Sequence, residues 1–274
     1  MRTTLLTALL LTATTAHAQQ SLVTNGGFEE PQIGKPWAVP ATIPGWQTVS
    51  GAGPELQTSS VGWRPLEGTQ MVELDSTRST TIAQDLNTRP GGVYELSVSF
   101  SPRPKVVDNR IGVYWNGQQL AVLDASGAGS SATNWQRFTY RVTATGATTE
   151  LRFADLSRAD ALGGLIDDVK VITLDSDGDG VPDGQDRCEQ TRVPESPPSE
   201  GLGVNRWALI DGDGAFDTRT ANDKDKEPKR AFTLQDTAGC SCAQIIEKLG
   251  LGEGHRKHGC STGEMERWIK SLKQ

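Results

Sequence analysis

The stretch Val93-Tyr-Glu-Leu-Ser-Val-Ser-Phe100 alternates apolar and polar residues. A period of two is typical of a β-strand that buries one face and exposes the other. The same alternation, bounded by Gly, Pro, Asn or Ser, recurs in Met71-Val-Glu-Leu-Asp75, Ile111-Gly-Val-Tyr-Trp115, Phe138-Thr-Tyr-Arg-Val142 and Glu150-Leu-Arg-Phe153. We therefore predict a mainly β fold for this part of the chain.

Turn signals support this prediction. The pair Asn116-Gly117 separates two alternating runs, which is the strongest short-range signal for a hairpin. Residues 20–174 contain no convincing helical stretch, and the chain has 30 glycines and 14 prolines. Such a composition is typical of β-rich, turn-rich proteins, and the length suffices for one β-sandwich and a smaller unit.

Six short motifs follow one another in this region. They are Asn25-Gly-Gly-Phe-Glu29, Ile43-Pro-Gly-Trp46, Gly68-Thr-Gln-Met-Val-Glu-Leu-Asp75, Ser101-Pro-Arg-Pro104, Val113-Tyr-Trp-Asn-Gly117 and Gly163-Gly-Leu-Ile-Asp-Asp-Val169. Their order resembles the galactose-binding-like jelly rolls, in particular the DUF642 type and related carbohydrate-binding modules of bacterial secreted proteins. The resemblance implies a jelly-roll β-sandwich over residues 19–174.

The resemblance also implies a structural calcium site. In such jelly rolls the first and last strands lie side by side and often share a Ca²⁺ ion. Glu29 and Asp168 are the ligands that the resemblance implies, with Asp167 as the weaker choice. The alternative is a pair of acids that face solvent. Two carboxylates held together at a sheet edge need a cation or shifted pKa values.

A second calcium site is predicted from spacing in Asp175-Ser-Asp-Gly-Asp-Gly-Val-Pro-Asp-Gly-Gln-Asp186. Carboxylates occupy positions 1, 3, 5, 9 and 12 of a twelve-residue loop, and Gly180 occupies position 6, where the chain turns sharply. The predicted ligands are Asp175, Asp177, Asp179, the Val181 carbonyl, Asp183 and Asp186. The alternative is a solvated acidic linker.

The flanks of this loop exclude an EF-hand, which needs a helix on each side. A β-branched run, residues 165–174, precedes the loop, and prolines follow it. The loop instead resembles a single thrombospondin type 3 repeat, with Cys188 at the family's cysteine position. We predict that residues 175–192 form a calcium-stabilised spacer.

The N-terminus predicts export. Met1-Arg2, an apolar stretch from Leu5 to Ala16 and the small-x-small site Ala16-His17-Ala18 form a signal peptide over residues 1–18. This places the mature chain outside the cell, at its surface or in the periplasm. No other apolar run is long enough to span a bilayer. A net charge of −7 without a basic stripe argues against nucleic-acid binding.

Residues 200–274 form the predicted small C-terminal domain. Helical periodicity begins at Ser241, and a second helix begins at the capping box Ser261-Thr-Gly-Glu264, so the two would pack as a helical hairpin. In an exported chain, an even number of cysteines favours disulfides. A zinc site that includes His255 and His258 is the alternative, but the spacing matches no zinc module.

Three pairings of the cysteines are possible, and adjacent-but-one cysteines rarely pair. This favours Cys242–Cys260, which would join the helices, and Cys188–Cys240, which would tie the calcium loop to them.

Sugar binding needs an aromatic face and polar groups that reach hydroxyls. Trp46, Trp63, Trp115 and Trp135 are the aromatic candidates. Trp115 alternates with core positions and Trp46 follows Pro-Gly, so both are predicted to pack inside. Trp63, beside Arg64 and Pro65 in a loop-like stretch, is the tryptophan that we expect to be exposed. Arg103, between two prolines at a strand end, is the best polar candidate, and Asn116 is a second one, so these three are the predicted ligand-binding residues.

Catalysis finds little support, because the chain lacks Gly-x-Ser-x-Gly, His-Glu-x-x-His and a phosphate-binding glycine loop. We predict a non-enzymatic, calcium-binding recognition module for an extracellular glycan or cell-wall polymer. The alternative is a structural or adhesive surface protein that contacts protein partners or copies of itself. Exposed aromatic residues on one sheet face would favour the first function, and an extended apolar patch would favour the second.

Overall fold

The computed structural model of the protein describes residues 20–220 and 232–273. The predicted signal peptide, residues 1–18, lies outside the described residues. Within the described ranges, eleven strands form two antiparallel sheets, and the chain then continues into a smaller helical unit. The prediction of a mainly β two-sheet sandwich followed by a small disulfide-linked helical unit is confirmed.

The first sheet has six strands. In spatial order they are β1 (Trp37–Ala38), β3 (Glu55–Thr58), β4 (Gln70–Glu73), β11 (Leu165–Thr173), β6 (Val93–Ser101) and β9 (Gln136–Thr143). The second sheet has five strands. Their spatial order is β2 (Gln47–Ser50), β5 (Thr81–Asn87), β10 (Thr148–Asp155), β7 (Arg110–Trp115) and β8 (Gln118–Asp124).

The sandwich core lies between the two sheets. The apolar positions of β6, for example Leu96, Val98 and Phe100, are buried there, as the alternating pattern predicts. Trp46 and Trp115 belong to the same core, which confirms that both are packing residues. Between β7 and β8 the Asn116-Gly117 turn has positive φ angles of 49° and 78°, as the hairpin signal predicts.

The opposite face of the six-stranded sheet, here called the outer face, is polar. Directly opposed residues of antiparallel strands share a face, so the pairing register identifies its members. Trp37, Gln57 and Met71 oppose one another in one row, and Asp167, Ser99 and Arg137 do so in another. A neighbouring row consists of Glu55, Glu73, Leu165 and Ser101.

The β3–β4 loop, residues 59–69, folds over this outer face. Backbone N–H groups of Leu66 and Glu67 donate to the Asp167 carboxylate at 2.8 and 3.2 Å. Under the loop, Gln57 and Glu73 are buried although they are polar. The alternation of β4 predicts a solvent-facing Glu73, so the loop accounts for this difference.

A second core holds the C-terminal unit together. It contains α1 (Leu234–Thr237), α2 (Cys242–Lys248), α3 (Thr262–Ser271) and the short pair β12 (Arg206–Trp207) and β13 (Cys260–Ser261). Ser241 and Ser261 cap α2 and α3 through capping boxes, so the predicted helical hairpin is confirmed. No helix among the described residues is long and apolar enough to cross a membrane.

Two disulfides join the parts of this unit, Cys188–Cys240 and Cys242–Cys260. These are the two pairs that the sequence analysis favoured. They leave no thiol for the zinc alternative. His255 and His258 instead contact the carboxylates of Glu264 and Glu200.

The acidic loop lies between the sandwich and the helical unit. Its Asp183 N–H donates to the Leu174 carbonyl at the end of β11, and Arg187 N–H donates to the Ala238 carbonyl after α1. Val181 and Cys188 are part of the second core. A rearrangement of the loop would therefore affect both units.

Candidate functional site

Trp63 and Arg103 lie together on the outer face. The Arg103 guanidinium carbon is 5.4 Å from the centroid of the Trp63 ring, within the range of a cation–π contact. Arg103 also pairs with the buried carboxylate of Glu73. Trp63 Nε1 donates to Gln57 Oε1 at 3.1 Å. Trp63 is half-buried rather than exposed as expected, because the Gln57 contact holds its ring against the sheet. Two predicted ligand-binding residues thus share one arrangement.

Trp37 completes this arrangement and was missed by the sequence analysis. It lies directly opposite Gln57 on the edge strand β1, and 53% of its surface is exposed. A two-residue strand shows no periodicity, so the sequence carries no signal for the orientation of Trp37. We call Trp37, Gln57, Trp63, Glu73 and Arg103 the outer-face site.

The polar side chains of the outer-face site are held in place by hydrogen bonds to buried neighbours. Gln57 Nε2 donates to Glu55 as well as to Glu73, and Gly163 N–H donates to Glu73 Oε1 at 2.6 Å. Burial is the main cause that raises the pKa of Glu73 to about 8; the nearby Glu55 acts in the same direction, and Arg103 and Gly163 act in the opposite direction. Burial also raises the pKa of Glu55. Arg103 is held by this network, while 17% of its side chain remains exposed.

Asn116, the third predicted ligand-binding residue, lies elsewhere. It occupies the β7–β8 turn, where its Nδ2 donates to Thr145 Oγ1. Arg103 contacts Asn109 just before β7 begins, so the six-residue strand separates the two positions by roughly 20 Å. Trp135, in contrast, lies near Trp63, because its Nε1 donates to the Arg64 carbonyl at 3.0 Å.

The acidic loop brings several predicted calcium ligands together. Carboxylate oxygens of Asp175, Asp177 and Asp179 lie within 4.8 Å of one another. Gly180 has a φ of 90°, a conformation that glycine adopts without strain, at the sixth position of the loop. The close approach that the spacing predicts is therefore present for the first three acids.

Asp179 and Asp186 approach each other beside Gly239. A side chain at Gly239, whose φ is 81°, would collide with Asp186 Oδ1 and lie 3.1 Å from Asp179 Oδ2. Burial, followed by the charges of Asp177, Asp186 and Asp175, raises the pKa of Asp179 to about 7. Burial and neighbouring aspartates also raise the pKa of Asp186. Four carboxylates thus share one small region.

One oxygen of this group lacks a partner. Asp179 is only 8% exposed, and its Oδ2 accepts no hydrogen bond within the described part of the chain. A buried carboxylate oxygen in this state is costly, and a bound hard cation would remove the cost. A cavity of about 370 Å³, lined in part by Asp177 and Asp186, opens beside the loop. The donor set therefore fits Ca²⁺.

Asp183 and Val181 differ from the other predicted ligands. Asp183 accepts from Ser176 N–H and Oγ and forms an ion pair with Arg141 of β9 at 2.7 Å. Val181 buries its side chain in the second core, and its N–H donates to Asp179 Oδ1. Their roles in calcium binding stay predictions.

The predicted ligands Glu29 and Asp168 lie in a second acidic cluster beside β11, an interior strand of the six-stranded sheet. Glu29 accepts from Thr69 N–H, Thr69 Oγ1 and Gln70 N–H at 2.7–2.9 Å. Asp168 is buried at a bulge in β11, with a φ of 50°. Burial and then the charge of Asp168 raise the pKa of Glu67, which also senses Glu29. Glu67 joins the two predicted ligands, and the sequence analysis missed it.

Basic side chains already neutralise this cluster in part. Asp168 forms ion pairs with Arg137 and Lys170. Asp167, the weaker choice, accepts from three backbone N–H groups and anchors the β3–β4 loop. Burial raises the pKa of Asp167 to about 7. The calcium site at Glu29 and Asp168 stays a prediction.

The chain is similar to several solved structures. A family 35 carbohydrate-binding module from an environmental isolate is 19% identical and has a TM-score of 0.36, over 49% of this chain and 90% of that one. A family 61 module solved in complex with β-1,4-galactotriose is 18% identical and has a TM-score of 0.38, over 57% and 99%. The K2 cleaved adhesin domain of Lys-gingipain is 13% identical and has a TM-score of 0.39, over 55% and 97%.

No protein-family model matches the sequence, and neither does any curated protein. At such low identities and TM-scores, the structural similarities do not indicate what this chain binds. The DUF642 and thrombospondin type 3 assignments stay predictions.

Proposed function

We propose that the protein is an exported, calcium-binding, non-catalytic recognition module that binds an extracellular glycan or cell-wall polymer at the outer-face site. One observation carries the proposal. An exposed indole, Trp37, shares a sheet face with Trp63 and Arg103, whose positions are fixed by buried polar groups. Exposed aromatic residues on one sheet face are the feature that distinguishes glycan binding from the adhesive alternative.

The chemistry of the site suits a sugar. Pyranose rings stack on indole faces, and their hydroxyls need polar groups of fixed direction. Trp37 offers a solvent-facing indole, and Arg103 offers N–H donors that its pairing with Glu73 holds in place. Because these groups are already positioned, binding costs little conformational entropy.

A binding role is favoured over a catalytic one, because the carboxylates of the region already have donors. Glu73 accepts from Arg103, Gln57 and Gly163, and Glu55 accepts from Gln57. A general acid or base must instead be free to exchange a proton with a substrate.

Calcium is proposed as the resident ion of the acidic loop. Asp175, Asp177, Asp179 and Asp186 would hold it, together with the Val181 carbonyl and Asp183. The ion would supply positive charge to four crowded carboxylates and so stabilise the loop. Because position 12 is Asp rather than the longer Glu, we expect an affinity in the weaker, extracellular range.

Export is consistent with the covalent structure. The pairs Cys188–Cys240 and Cys242–Cys260 are of the kind that persists in oxidising compartments. Together with the predicted signal peptide, they support a location outside the cell, at its surface or in the periplasm.

Retention on insoluble polysaccharides and on a glycan array, with and without Ca²⁺, tests the proposal. Trp37→Ala and Trp63→Ala should each weaken binding about tenfold, which corresponds to about 1.4 kcal/mol. Arg152→Ala, on the second sheet and paired with Glu150, is the matched control and should bind normally. A wild-type protein that retains no polysaccharide would refute glycan binding.

A second candidate function is adhesion through the edge strand β8. Leu120 and Val122 are exposed on this strand, which lies at the margin of the five-stranded sheet. An edge strand with exposed apolar residues is a template for pairing with another chain. Concentration-dependent self-association in analytical ultracentrifugation that Val122→Lys abolishes would support this function.

A further inference from the structure

Two buried aspartates lie at one end of the sandwich, apart from both acidic clusters described above. Asp75 follows β4 and is fully buried, and Asp155 ends β10 and is 7% exposed. Thr80 lies between their backbones. Its N–H donates to the Leu74 carbonyl at 2.7 Å, and its carbonyl accepts from Asp155 N–H at 3.0 Å.

Each aspartate uses only one of its oxygens. Asp75 Oδ2 accepts from the N–H groups of Asp160, Ala161 and Leu162 at 2.9–3.3 Å. Asp155 Oδ1 accepts from Ser157 N–H at 3.2 Å. Asp75 Oδ1 and Asp155 Oδ2 are buried and have no hydrogen-bond partner within residues 20–220 and 232–273.

The charges of the pair are uncompensated by the protein. Over the described ranges, no Lys, Arg or His side chain forms an ion pair with either aspartate. Burial raises the pKa of Asp155, and the charge of Asp75 raises it further, against hydrogen bonds from Ser79 and Ser157. The two buried carboxylates therefore repel each other.

Two arrangements can lower the free-energy cost of burying two neighbouring carboxylates. The carboxyls can share a proton, or a cation can bind between them. A shared proton joins the two oxygens but leaves one negative charge buried without a counter-ion, whereas a divalent cation would neutralise both carboxylates. Carboxylate and hydroxyl oxygens are hard donors that suit Ca²⁺ or Mg²⁺ rather than a thiophilic metal.

We propose that Asp75 Oδ1 and Asp155 Oδ2 bind a hard divalent cation, with the Ser79 hydroxyl nearby. This site shares no residue with the acidic loop or with the outer-face site. Asp75 holds residues 160–162 of the β10–β11 loop through its other oxygen, and Ala161 there has a strained φ of 66°. Gly163 of the same loop donates a hydrogen bond to Glu73, which pairs with Arg103, so a bound cation would also help to hold Arg103 in place.

The test counts Ca²⁺ ions bound to the full chain by native mass spectrometry, after chelation and readdition of CaCl₂. The parent protein carries Asp177→Asn and Asp179→Asn, which remove the acidic-loop site. Adding Asp155→Asn should lower the count by one Ca²⁺ per chain. Asp85→Asn, an exposed aspartate of β5, is the matched control and should leave the count unchanged.

Two results would overturn the proposal. One is a parent protein that binds no divalent cation. The other is an unchanged count after Asp155→Asn, which would identify a shared proton, because the new amide can donate to Asp75 in its place. Should Asp155→Asn fail to fold, Asp75→Asn gives the same comparison. Isothermal titration with CaCl₂ provides an independent measure of the lost site.

Discussion

The substitution Glu73→Gln tests the electrostatics of the outer-face site. Burial raises the pKa of Glu73 from its ordinary value of 4.5 to about 8. At pH values between these limits, the native protein therefore keeps a proton that the unfolded chain releases. A group of this kind contributes stability that is complete below pH 4.5 and is lost as the pH rises through 8.

The size of the effect follows from linkage. Each pH unit between the two pKa values changes the free energy of unfolding by about 1.4 kcal/mol per proton. From pH 5 to pH 8, the wild type should lose up to roughly 4 kcal/mol relative to Glu73→Gln, which has no proton to lose there. We expect the two proteins to be similar in stability at pH 5 and the variant to be more stable at pH 8.

Urea unfolding, followed by tryptophan fluorescence at several pH values, measures this difference. Comparing two variants at each pH cancels the titration of all other groups that they share. Ser99→Ala is the matched control, because Ser99 is buried on the same face and carries no titratable group. Its effect should not depend on pH.

The opposite result would refute the reasoning. If the donors Arg103, Gln57 and Gly163 outweigh burial, Glu73 is ionised in the native state at neutral pH. Glu73→Gln would then be destabilising at pH 8, by about 3–5 kcal/mol, because it breaks a buried ion pair.

Three further predictions concern stability. Chelation should lower the melting temperature of the wild type, because it removes up to about 2.7 kcal/mol of stabilisation relative to Ca²⁺ at 100 times its Kd. Asp179→Ala should reduce this response, and a melting temperature that chelation leaves unchanged would argue against a stabilising ion. Replacing Cys188 and Cys240 by Ser should lower the free energy of unfolding by about 4 kcal/mol, because the disulfide closes a loop of 52 residues in the unfolded chain. A variant as stable as the wild type in urea titration would contradict this. Trp115→Ala should lower the free energy of unfolding by about 3–5 kcal/mol, because it leaves a cavity in the core and removes the hydrogen bond to the Thr143 carbonyl. A urea midpoint close to that of the wild type would contradict this and show that neighbouring side chains repack into the cavity.

Local patterns predicted much of the fold. Alternation located β4, β6, β7, β9 and β10, because each strand buries one face in the sandwich core. Helical periodicity from Ser241 located α2, and the capping box Ser261–Glu264 located the start of α3, since its donors and acceptors are three residues apart. In the acidic loop the candidate ligands are also close in sequence, so spacing alone indicated that Asp175, Asp177 and Asp179 come together.

The outer-face site was only half predictable, because its members meet through strand register. Trp63 and Arg103 stood out as residues in loop-like stretches, but Glu73, the partner of Arg103, lies in a regular strand. Trp37 lies in a strand of only two residues, so no local pattern specifies that it pairs with Gln57. The Asp75–Asp155 pair is separated by 80 residues and depends on contacts between both sheets, so sequence spacing says nothing about it.

The buried polar layer on the outer face bears on function. Alternation predicts that Glu73 and Ser99 face water, yet both, like Gln57, are buried beneath a loop or among neighbouring side chains. Burying such groups is unfavourable unless each finds a partner, and apolar residues would cover the sheet at lower cost. The chain instead keeps an arginine, a glutamine and two glutamates connected under Trp63. This buried network holds Arg103 and Trp63 in fixed positions at the surface, which explains why polar residues occupy the site. Glycan binding is the proposed function that needs these fixed positions.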